Sequence, residues 1–91
     1  MHKLYKLLEQ EELEFDTAED YIHCANNTEG EIKNKYCELA EDELEHVETL
    51  ISIGDKLKYE KDTKGAIIWE FERECIKKKH TALKVKLSQV K

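Results

Sequence analysis

No proline interrupts this chain, and its apolar residues recur at three- and four-residue steps through three long stretches. Proline is the residue a helix interior tolerates least, so its absence leaves each stretch free to be helical. The first stretch spans residues 3–26, with Leu4, Leu7, Leu8, Phe15, Ala18, Tyr21, Ile22 and Ala25 on one side. The second spans 29–58, with Ile32, Tyr36, Leu39, Ala40, Leu44, Val47, Leu50, Ile51 and Leu57 as its apolar set. The third covers 66–89 and aligns Ile68, Trp69, Ile76, Leu83 and Leu87, with Val90 just beyond. Spacing of this kind is the signature of amphipathic helices, so the fold class is all-α.

The connections set the topology. Asn26-Asn27 suits a helix end, and Thr28 with Glu31 three residues later reads as a capping box opening the next helix. So short a link makes the first two helices antiparallel neighbours, a helical hairpin. Gly54 is a candidate end or loosening of the second helix, and Asp62-Thr63-Lys64-Gly65 reads as the next turn. Residues 1–91 form a single domain, too short to bury more than a modest core without a partner subunit.

Charge narrows the function classes. Residues 1–63 hold 7 Lys against 18 Asp and Glu, whereas residues 64–91 hold 8 Lys and Arg against 3 Glu. An acidic body argues against nucleic acid as the ligand. The basic third helix is either a solvated face or a tail that docks on an acidic surface, its own or a neighbour's. No apolar run is long enough for a membrane span, and the N-terminus lacks the apolar segment of a signal peptide. Cys24, Cys37 and Cys75 form no Cys-x-x-Cys pair and read as reduced thiols of a cytoplasmic protein. Cys24 and Cys37 fit as buried small hydrophobes, and Cys75 as the exposed thiol.

The apolar stripes are interrupted at one place. Glu14 lies in line with Leu7, Ala18 and Tyr21, while Glu43 and His46 lie in line with Tyr36, Leu39 and Leu50. Folding the hairpin about residues 28 and 29 pairs Leu4 with Ile53, Leu7 with Leu50, Ala18 with Leu39, Tyr21 with Tyr36 and Ala25 with Ile32. Between these apolar levels it sets Glu11 against His46 and Glu14 against Glu43. A shift of register by a residue or two keeps Glu11 and Glu12 as alternatives to Glu14. Carboxylates and an imidazole on a buried face are costly unless paired or bound to metal. Iron in oxygen-activating sites takes hard carboxylate oxygens with imidazole nitrogen, and Glu43 and His46, three apart on a helix, can hold one ion together. Four-helix di-iron sites use a Glu from each of two helices and a Glu-x-x-His from each of two others, so this chain carries half the set. In the third helix Lys77 stands where a Glu-x-x-His ending at His80 needs its Glu, so that helix reads as a packing helix.

The stretch from Glu11 to Leu50 also resembles a known family. Glu14, Tyr21 seven residues on, Ala25, and the run Ala40-Glu41-Asp42-Glu43-Leu44-Glu45-His46 leading to Leu50 resemble the hairpin of the ferritin and rubrerythrin superfamily. The shortened chain and Glu11-Glu12-Leu13-Glu14 are most similar to the encapsulated ferritins, two-helix half-ferritins that bind iron between subunits inside encapsulin shells. The resemblance implies a ferroxidase, with two Fe(II) oxidised by dioxygen or peroxide at a site shared by two subunits. It implies Glu14, Glu43 and His46 as metal ligands, Tyr21 as a neighbour hydrogen-bonding near the iron, and Glu11 as an outer acidic residue on the iron's path. The expected assembly is a homodimer or higher homo-oligomer, with an encapsulin-type shell as partner. The competing expectation is a metal-free helical adaptor whose acidic hairpin and basic third helix serve docking alone.

Overall fold

A computed structural model describes residues 2–57 and 63–91, an elongated body of 50 × 18 × 15 Å. Among the described residues there are three helices and no strand: α1, His2–Asn26; α2, Gly30–Leu57; and α3, Thr63–Val90. The predicted all-α class and the three segments agree with this, to within three residues at every boundary inside the described residues. Lys58, the expected last residue of the second helix, and Asp62, the first of the expected turn, lie outside the described residues. Thr63, Lys64 and Gly65, read from the sequence as turn, form the first turn of α3 instead.

The link between α1 and α2 is as tight as expected but is closed differently. The Thr28 hydroxyl turns back to α1, donating to the Cys24 carbonyl at 2.9 Å and reaching the Ala25 carbonyl at 3.4 Å. It thus satisfies carbonyls at the end of α1 rather than capping α2. Gly30 then reverses the chain with φ at 66°, a left-handed conformation that a side chain disfavours. Only a position free of that strain penalty can start α2 so soon after α1 ends.

Leu4, Phe15, Ala18, Ile22 and Ala25 of α1 and Cys37, Ala40, Leu44 and Val47 of α2 form the hairpin's core. α3 adds Trp69, Ile76, Leu83 and Leu87. It lies along one side of the hairpin only, beside Leu8, Glu11 and Phe15 of α1 and Leu44 and Glu48 of α2. At 100° per residue, Glu14, Tyr21, Leu39, His46 and Ile53 point to the other side. That placement overturns part of the expected apolar pairing. Ile32, Leu39 and Ile53 stay 62%, 41% and 42% exposed, because no helix among the described residues covers them.

Gly54 is what lets α3 dock. It neither ends nor loosens α2; it is buried within the helix, and a Cβ there would lie 2.2 Å from the Trp69 indole. The missing side chain admits a ring that is fully buried. Trp69 donates Nε1–H to Asp55 Oδ1 at 2.9 Å, and the Arg73 guanidinium grips the same carboxylate at 2.8 and 3.0 Å. The buried indole therefore leaves no donor unsatisfied, as burial of a polar group demands. At the far end of α3, Lys91 pairs with Glu41 and the buried His80 ring lies 2.9 Å from the Leu44 carbonyl. The basic helix thus rests in part on the chain's own acidic α2.

Candidate metal centre

Glu14, Glu43 and His46 meet on the side of the hairpin that α3 leaves uncovered. Glu14 comes from the middle of α1, and Glu43 and His46 from successive turns of α2. His46 Nδ1 lies 3.4 Å from Glu14 Oε2 and 3.6 Å from Glu43 Oε2. One donor atom from each residue falls within 4.8 Å of the other two. The two carboxylates are largely buried, at 17% and 19% exposed, while the imidazole is 58% exposed at the rim.

The spacing suits a single ion. Two ligands about 2.1 Å from a metal at octahedral or tetrahedral angles stand roughly 3.0–3.4 Å apart. The His46 contacts are at or just beyond that range before any side chain moves. Two anionic oxygens and one imidazole nitrogen are the donor set that iron, manganese and zinc accept. Gln10 fixes the far side of the Glu14 carboxylate, donating to Oε1 at 2.9 Å and leaving Oε2 to face His46. Such outer contacts orient ligands for a metal. Gln10 escaped sequence reasoning, although its place one turn before Glu14 was the available signal.

The other expected site residues fall elsewhere. Glu11 does not face His46. It turns towards α3, is 1% exposed, and lies outside the group formed by Glu14, Glu43 and His46. Glu12 is exposed, so of the three candidates on α1 it is Glu14 that the fold brings to the α2 pair. Tyr21 packs against Tyr36, as the hairpin register predicts, with ring centres 6.3 Å apart. It makes no hydrogen bond to the group; Thr17, between them on α1, binds back to the Leu13 carbonyl. Cys37 is buried and Cys75 exposed, each as expected, whereas Cys24 is only partly buried.

The centre is set in an apolar surround. Tyr21, Tyr36 and Leu39 lie towards the hairpin turn, and Leu7, Leu50 and Ile53 towards its open end. Fold and site together give three helices among the described residues and a carboxylate–imidazole cluster on the hairpin face away from α3. No protein-family model matches this chain, and no curated protein or solved structure matches it. No helix among the described residues is long and apolar enough to cross a membrane.

Proposed function

We propose that this chain is a ferritin-like di-iron carboxylate protein that oxidises Fe(II) to Fe(III) at a site completed by a second subunit. The observation that carries this reading is the convergence of Glu14, Glu43 and His46 on a hairpin face that no described helix covers. Three donor atoms suit one iron with open positions, and a two-iron site of this type needs twice as many. A second copy related by a two-fold axis supplies the other three and covers Leu39 and Ile53 at the same time.

Iron is the substrate here, and each protein group has a part in handling it. Glu14 and Glu43 supply negative charge, which favours the higher-charged Fe(III) over Fe(II). His46, at the rim, is the donor that incoming iron meets first, and Gln10 holds Glu14 in place. Two Fe(II) give up one electron each; dioxygen accepts both with two protons and leaves as hydrogen peroxide, or peroxide accepts them and leaves as water. Tyr21, on the same face, is positioned to hydrogen-bond to a bound carboxylate or water once the partner narrows the site.

The test is the absorbance change on adding Fe(II) to the protein in air. The wild-type protein should oxidise Fe(II) faster than buffer, and Glu43→Ala should fall to the buffer rate while keeping its helical circular dichroism. Equal rates in both proteins would dismiss the reading. The rival, a metal-free helical adaptor, is favoured by a different feature: Ile67, Phe71 and Val85 are 65%, 69% and 52% exposed on α3. It predicts Fe(II) oxidation no faster than in buffer.

A further inference from the structure

A second cluster lies on the opposite flank of α1, in a cleft against α3. Glu11 is 1% exposed, and neither carboxylate oxygen has a hydrogen-bond partner. Leaving a buried acceptor unpaired is costly, and more so when it is charged. Glu72 of α3 lines the same cleft. Burial, with the Glu72 charge adding to it, pushes the Glu11 carboxyl from 4.5 to about 7. Lys79 also lines the cleft, yet its ammonium rests over the Phe15 ring, 5.1 Å from the centroid.

Two occupants could relieve this arrangement. A proton removes the charge on Glu11 but leaves an O–H donor and a carbonyl oxygen still without partners. A divalent cation supplies a partner for both oxygens, offsets the charges of both residues, and draws in the Glu72 carboxylate from the facing helix. The cation answers every part of the problem. We propose that the cleft between α1 and α3 binds one hard divalent cation through the carboxylates of Glu11 and Glu72, tying α3 to the hairpin. The two carboxylates select a hard ion, magnesium, calcium or manganese, although the Cys75 thiol also lines the cleft. This site shares no residue with Glu14, Glu43 and His46, and it stands or falls separately from them.

The experiment is Mn(II) binding to the full chain, read from the loss of the free-ion electron paramagnetic resonance signal, with thermal unfolding measured in parallel. Glu11→Gln and Glu72→Gln should each weaken one class of Mn(II) site by at least about tenfold and abolish the matching rise in Tm. Glu43→Ala should leave that class intact, so loss of the hairpin centre and loss of this one are told apart. Glu72→Gln keeps the test decisive should Glu11→Gln fold poorly, because Glu72 is only partly buried. Unchanged Mn(II) binding in Glu72→Gln would overturn the proposal. A protein stabilised by lowering the pH but not by Mn(II) would overturn it as well, since Glu11 would then be satisfied by a proton alone.

Discussion

Replacing Glu11 by leucine should change how stability depends on pH, by an amount the structure allows us to work out. In the folded chain the Glu11 carboxyl titrates near 7, raised from 4.5 by burial and by Glu72. Between those values the folded state keeps a proton that the unfolded state has lost. Folding is therefore favoured at the acid end and loses stability as the pH rises, with the full cost reached above 7. At 1.36 kcal/mol per pH unit, the loss is about 3 kcal/mol for the metal-free protein. Leucine has nothing to titrate and suits the neighbouring Leu8, Phe15 and Ile76. Urea unfolding at pH 5 and pH 8, with EDTA and at one protein concentration, measures the effect in both proteins. Repulsion within the acidic body is common to the two and cancels in the difference. The Glu11→Leu variant should gain about 2.5 kcal/mol over wild type on going from pH 5 to pH 8, since at pH 5 the unfolded carboxyl is already partly ionised. Parallel pH profiles would show that Glu11 is not buried as an acid, and the reasoning would fail.

Three further outcomes are expected. Gly54→Ala should destabilise the chain by about 1–3 kcal/mol in urea unfolding, because the clash with the Trp69 ring outweighs the helix propensity gained. Leu39→Glu should lower the mass in sedimentation without loss of helical circular dichroism, since Leu39 is 41% exposed beside the candidate metal centre and lies outside the buried core. Tyr21→Phe should slow Fe(II) oxidation more than it weakens iron affinity in stopped-flow and equilibrium titrations; equal losses would make Tyr21 a ligand.

The helices are legible because three- and four-residue spacing is a local property, and so is the centre. Glu14, Glu43 and His46 can be matched because a short antiparallel link puts residues of related number at one height. What the spacing does not reveal is which flank of the hairpin α3 covers. Glu11 and Glu14 differ by only about 60° around α1, yet that angle sends one towards α3 and the other to the open face. Ile32, Leu39 and Ile53 depart from the expected burial for the same reason, since an apolar stripe shows its width but not what covers it. The role of Gly54 is hidden in the sequence because it depends on Trp69, which belongs to another helix. Thr28 fits two local patterns, and only the geometry of the turn chooses the one that serves α1.

The central claim is that Glu14, Glu43 and His46 hold iron between two chains, and an anaerobic Fe(II) titration followed by sedimentation velocity tests it most directly. Wild type should bind about one Fe(II) per chain more than Glu43→Ala, and only wild type should shift towards dimers or larger species as iron is added. Equal iron uptake by the two proteins, or two irons bound by a strictly monomeric chain, would contradict the account.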